Sequence, residues 1–179
     1  TGTLNISGGT LSAAGGVQLN GNGQLIYSNA GDVAAGYSIF GNGSVIKSGA
    51  GTTDMNGASS YTGGTSLNAG RLNVGNNTAL GLGALSMGGG TTLGLSTDGL
   101  NVGNAIQLTG SSGTFNAETG VTATLSGVIR NSGQLVKEGA GTLVLTGSNF
   151  YGGGTVIDAG TVQVASDANL GSAAGSLTL

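Results

Sequence analysis

Cysteine, proline, tryptophan and histidine are all absent from the 179 residues, and charged residues make up only 6%. Each absence excludes a class of chemistry. Without His or Cys there is no Ser-His-Asp triad, no thiol nucleophile and no ordinary structural zinc site. Lys47, Arg71, Arg130 and Lys137 are the whole basic complement against seven carboxylates, too few to read a phosphate backbone. No run of about 18 apolar residues exists to cross a membrane as a helix, and no signal-peptide pattern opens the chain. What is abundant is glycine, 40 residues, with 19 Ser, 21 Thr and 16 Asn. Gly and Ser at such density usually mark low complexity. Here the apolar fraction is 37%, and there is too little charge to hold a chain open. The glycines therefore serve a packed structure.

Repetition shows how. Residues 21–31, GNGQLIYSNAG, match residues 41–51, GNGSVIKSGAG, at seven of eleven positions. A longer match needs no gap: residues 43–81 align with 133–171 at an offset of 90, with 16 identities. These include Lys47 with Lys137, Gly49 and Gly51 with Gly139 and Gly141, and Tyr61 with Tyr151. Gly63-Gly64-Thr65 with Gly153-Gly154-Thr155, Ala69-Gly70 with Ala159-Gly160, and Ala50 and Thr52 with Ala140 and Thr142 are also among them. Within each copy apolar and polar residues alternate over three to five positions, as in Leu72-Asn73-Val74, Leu143-Val144-Leu145 and Val162-Gln163-Val164. Period two is a strand signal. Gly, Asn or Ser-Gly ends almost every run, and no apolar stripe has helical spacing, so almost no helix is expected.

Short strands, sharp corners and a period near 20 predict a parallel β-helix of about eight or nine rungs of roughly 20 residues, in which inward residues stack from rung to rung. At about 4.8 Å per rung the rod would be roughly 40 Å long. An antiparallel sandwich is the competing β fold; it predicts hairpins, but not an ungapped offset of 90. The alternation assigns Leu25, Val45, Leu67, Leu72, Val74, Ile106, Leu108, Leu125, Leu135, Leu143, Leu145, Val162 and Val164 to the inside.

The stretch 135–164, LVKEGAGTLVLTGSNFYGGGTVIDAGTVQV, resembles the autotransporter-associated β-strand, or passenger-associated transport, repeat, which reads K-x-G-x-G-T-L-x-L-x-G-x-N-x-Y-x-G-G-T-x-I-x-x-G-T-L-x-V. The copy from Ile46 to Val74 matches more weakly, with Thr53 and Met55 where the pattern has Leu. Ala79-Leu80-Gly81 and Asn169-Leu170-Gly171 resemble the A-L-G segment that follows it. The resemblance implies a right-handed parallel β-helix, exported by a Gram-negative bacterium and displayed at the cell surface. It implies as partner a C-terminal outer-membrane β-barrel, which these residues do not include. From it follow a structural stalk that supports export and folding and presents adhesive regions, or else a segment that is itself adhesive to a host surface or self-associating. A carbohydrate-active β-helix is a third reading. The chain, starting at Thr1-Gly2-Thr3-Leu4 already in pattern, reads as one β-helix fragment, 1–179, of a longer passenger.

Candidate sites are few. Asp32, Asp54, Asp98, Glu118, Glu138, Asp158 and Asp167 are scattered, and Asp54 is matched by Val144, so they read as solvated residues. The Gly-Gly-x-Gly-x-Asp calcium pattern, the Gly-x-Ser-x-Gly elbow and the Gly-x-Gly-x-x-Gly phosphate loop are all missing. No cofactor, metal site, nucleic-acid partner or enzymatic activity is expected. The paired Lys47/Lys137 and Tyr61/Tyr151 read either as a binding face or as rung caps, and Phe150-Tyr151 as a possible anchor or a packed corner.

Overall fold

In a computed structural model, which describes residues 2–179, every strand pairs in parallel with strands from the neighbouring turns. Thr1, the first residue of the opening pattern, lies outside the described residues. The chain winds as a solenoid with three faces. The first face stacks β1 (Thr3–Ile6), β3 (Gln24–Tyr27), β6 (Ser44–Lys47), β8 (Thr65–Leu67), β10 (Leu85–Met87), β13 (Ile106–Leu108) and β16 (Ile129–Arg130). The second stacks β4 (Val33–Ala35), β7 (Thr52–Met55), β9 (Arg71–Val74), β11 (Thr91–Leu95), β14 (Ser112–Ala117), β17 (Gln134–Glu138), β19 (Thr155–Ile157) and β21 (Leu177–Thr178). The third face begins with β2 (Val17–Leu19) and β5 (Ile39–Gly41) and ends with β12 (Asn101–Val102), β15 (Thr122–Leu125), β18 (Thr142–Leu145) and β20 (Thr161–Val164).

Between β5 and β12 the third face runs as irregular chain. It stays in the stack through single bonds: Ser60 N donates to Ile39 O, Leu82 N to Tyr61 O, and the Asn104 side chain to Gly81 O. The eight strands of the second face give about eight turns. Paired residues lie 19 apart at Thr53 and Leu72, and 23 apart at Ile106 and Ile129. A turn is thus nearer 21 residues than the 20 read from the shorter repeat. One short 3-10 turn, Asp167–Leu170, is the only helical element among the described residues. None of their helices is long and apolar enough to cross a membrane.

The alternation sets the core. Of the residues assigned to the inside, the eleven from Leu25 to Leu145 are fully buried. Val162 and Val164 are only half-buried, because β20 ends its sheet and no strand covers it from above. The inner column of the first face runs Tyr27, Lys47, Leu67, Met87, Leu108. That of the second runs Thr53, Leu72, Leu93, Phe115, Lys137, Ile157. Stacking inward side chains from turn to turn removes apolar surface from water at about 25 cal/mol per Å², and it depends on nearest neighbours alone.

Candidate functional site

Three side chains that recur between the two copies, Lys47/Lys137, Tyr61/Tyr151 and Thr65/Thr155, lie inside the rod. Lys47 and Lys137 have 0% exposure, although lysine is almost never buried unless its ammonium is partnered. No carboxylate bonds to either ammonium. Lys137 Nζ donates to three backbone carbonyls instead, Glu138 O at 2.8 Å, Gly139 O at 2.7 Å and Ala159 O at 3.1 Å. Lys47 Nζ donates to Gly49 O. The acceptors belong to the corner where the chain leaves one strand and turns to the next face, and to the same corner one turn above. Burial pushes both ammonium groups below the ordinary lysine value; the carbonyl bonds favour the charged form.

This geometry explains why Lys, Gly-x-Gly and Ala-Gly travel together. Gly49, Gly51, Gly139 and Gly141 form the corner, and a side chain on any of them would run into carbonyls of the turn below. Gly70 and Gly160 close it from above at φ 71° and 72°, a conformation that favours glycine. A Cβ on Gly160 would come 2.8 Å from Lys137 Nζ.

The second recurring device is the tyrosine. Tyr61 lies on the irregular third face and Tyr151 on the irregular end of the first, both fully buried. Each phenol shares a 2.6 Å hydrogen bond with the threonine four residues on, Tyr61 with Thr65 and Tyr151 with Thr155. Burial raises both phenol pKa values above the ordinary 10.0, against the smaller opposing effect of the threonine bond. Gly63, Gly64, Gly153 and Gly154 turn the chain between tyrosine and threonine. The glycine of each A-L-G segment then lies on the ring: a Cβ on Gly81 or Gly171 would meet the ring carbons of Tyr61 or Tyr151 at about 3 Å. Phe150 points the other way and is 60% exposed. The aromatic pair of the sequence is therefore split, one ring in and one out.

Three features had no assigned role in the sequence. Thr65 and Thr155 recurred in both copies, but their bond to tyrosine needs the fold. Asn149 sits inside the irregular end of the first face, where Oδ1 accepts from Ile129 N at 2.8 Å and Nδ2 donates to Asn169 O at 2.7 Å. The counterpart of Asn149, Ser59, accepts from Ile39 N at 3.1 Å and has no such upward bond. Tyr27 and Tyr37 share a 2.8 Å hydroxyl pair in the second turn.

Outside the rod the chemistry is sparse. Among the described residues no three of His, Cys, Asp and Glu come together as a metal site. Asp54 accepts from Asn73 at 2.6 Å, and Arg71 reaches over Gly94 to Asn116 and to Glu118 at 3.6 Å, forming a polar strip across the second face. With Lys47 and Lys137 inside, Arg71 and Arg130 are the basic groups left outside against seven carboxylates. A cleft of about 560 Å³ is lined by residues 10–16 and by Ala34, Gly36, Tyr37 and Ser38; Tyr37 is its sole titratable side chain.

The passenger-associated-transport-repeat family model matches residues 45–74 and 135–164, inside the two copies found by self-comparison. An 82-residue stretch is 43% identical to the adhesin BmaC autotransporter of Brucella suis biovar 1 (strain 1330), covering 42% of this chain. The chain spans about 2% of the length of that curated relative. No solved structure matches the chain significantly. The chain is a β-solenoid that carries two passenger-associated-transport repeats of the type found in autotransporter passengers.

Proposed function

We propose that this chain is a stalk segment of a longer surface-displayed autotransporter passenger, without enzymatic activity. Its repeats build and stabilise the rod that carries adhesive regions away from the cell. The observation behind this is an asymmetry between inside and outside. Across the two copies the inward Lys, the Tyr and the Thr that bonds it are the same, and the remaining inward strand positions stay apolar or Thr. Of the seven outward strand positions six differ, among them Asp54 with Val144, Arg71 with Thr161 and Asn73 with Gln163; Thr52 and Thr142 alone agree. A binding repeat would preserve the side chains that meet a partner. These copies preserve the ones that hold turns together. A C-terminal outer-membrane barrel is the partner this reading requires, and the outer surface of a Gram-negative cell is its location.

The experiment is surface display of the whole passenger and barrel in a Gram-negative host. One variant set replaces Lys47, Tyr61, Lys137 and Tyr151. The other replaces the outward Asp54, Arg71, Val144 and Thr161. Folded protein at the surface, read as protease-resistant passenger, should fall in the first set and hold in the second. The reading fails if the outward set abolishes cell binding or self-association while the folded surface level is unchanged; that outcome makes the segment itself the adhesin.

A further inference from the structure

The two repeat copies do not lie on the same faces. In the first copy the strands β6, β7, β8 and β9 fall on the first, second, first and second faces. In the second copy their counterparts β17, β18, β19 and β20 fall on the second, third, second and third. The count of strands shows why. After β6 the first face is reached four more times, at β8, β10, β13 and β16, and the next strand along the chain, β17, opens the second copy. An offset of 90 residues is therefore four turns and one face.

The backbone registers of the two copies are nonetheless the same. Thr53 pairs with Leu72 and Met55 with Val74, as Leu143 pairs with Val162 and Leu145 with Val164. Val45 pairs with Thr65 and Lys47 with Leu67, as Leu135 pairs with Thr155 and Lys137 with Ile157. The coil that follows each copy starts alike, with the Gly of A-L-G on the tyrosine ring, and then differs by two residues: Thr65 pairs with Leu85, 20 residues on, and Thr155 with Leu177, 22 on. Each copy thus offers the next coil the same platform, turned by one face.

We propose that the step from Gly75 through Val164 is an interchangeable length unit that re-aims the rod. One more unit lengthens the solenoid by four turns and a face, about 21 Å at about 4.8 Å per turn. It also turns everything beyond it by one of three faces, so three added units restore the original heading. Because each turn contacts only its neighbours, the join is a local matter. The device rests on the stalk reading for its biological use, and on the two matched platforms for its physics. Length and heading are coupled, so a partner met by one face in a shorter rod is met by another in a longer one.

The test is a chain in which residues 75–164 occur twice in tandem, joined Val164 to Gly75. A control repeats residues 75–159, joined Ala159 to Gly75; it adds whole turns but joins unlike platforms. The native chain has no cysteine, so Val144→Cys in both occurrences takes two spin labels. The 90-residue tandem should fold with a melting temperature within a few degrees of the parent. Its label separation should exceed the axial rise of about 21 Å, because the labels lie on different faces. The control should melt lower. The proposal is overturned if the tandem unfolds or aggregates where the parent does not. A separation equal to the axial rise alone, or a control as stable as the tandem, also overturns it. None of these outcomes depends on surface display, so the stalk reading stands or falls separately.

Discussion

Replacing Lys137 with Met separates what a buried ammonium contributes from what its stem contributes. Met keeps an unbranched chain of similar length in the column between Phe115 and Ile157. It removes the nitrogen from Glu138 O, Gly139 O and Ala159 O. Three charge-assisted bonds at about 1.5 to 3 kcal/mol each are lost, and several kcal/mol of ammonium desolvation are recovered. The difference is a destabilisation of about 2 to 4 kcal/mol. Lys47→Met is the internal comparison. Lys47 is as deeply buried, yet its nitrogen serves Gly49 O alone. Recovered desolvation should then offset the lost bond, leaving a change within about 1 kcal/mol. Hydrogen exchange on β17 and β19 reads the effect locally: protection should fall by about 30-fold to 1,000-fold in Lys137→Met, since every 1.4 kcal/mol is tenfold, and by far less around β6 and β8 in Lys47→Met. Alkaline titration supplies a second readout. Burial lowers both lysine pKa values from 10.5. In the window below pH 10.5 the folded chain has released protons that the unfolded chain still holds, so stability rises with pH there. Above about pH 10 the buried tyrosines, whose pKa values are raised, reverse the trend, because the unfolded chain ionises first. The alkaline rise should shrink in Lys137→Met. Equal losses in the two variants, or a Lys137→Met chain as stable as the parent at pH 7, would refute the assignment of the carbonyl bonds as the compensating interaction.

Tyr151→Phe should cost about 1 to 3 kcal/mol, because it strands the buried Thr155 hydroxyl. Tyr61→Phe should cost less, since Thr65 keeps a weak contact to Leu80 O at 3.4 Å; urea melts of the pair in parallel would show the order. Ser59→Asn should stabilise the first copy by about 1 kcal/mol, by supplying the upward bond that Asn149 makes to the coil above; no gain in the melting midpoint would count against the two coils being equivalent. Leu143→Ala should cost about 2 to 5 kcal/mol. By the same logic β18, with Leu143 and Leu145 inside, should exchange more slowly than β7, with Thr53 and Met55 inside; faster exchange of β18 would sink that ordering.

Much of this architecture was legible in the chain itself. Strand alternation, glycine corners and a period near 20 are local properties, and they led directly to parallel stacked turns and to a correct inner set from Leu25 to Leu145. The pairing of Lys47 with Lys137 and of Tyr61 with Tyr151 was equally plain, but not its purpose. From the sequence the two lysines read either as a binding face or as rung caps. Only the closed corner shows that their partners are backbone carbonyls, contributed for Lys137 by two successive turns. The half-exposure of Val162 and Val164 follows from what stacks above them, which alternation does not encode. The one-face shift between the copies was hidden for a related reason. The residues in each turn vary from 19 to 23, so heading accumulates over many turns and is fixed by the three-dimensional winding, whereas the offset of 90 is fixed by the chain.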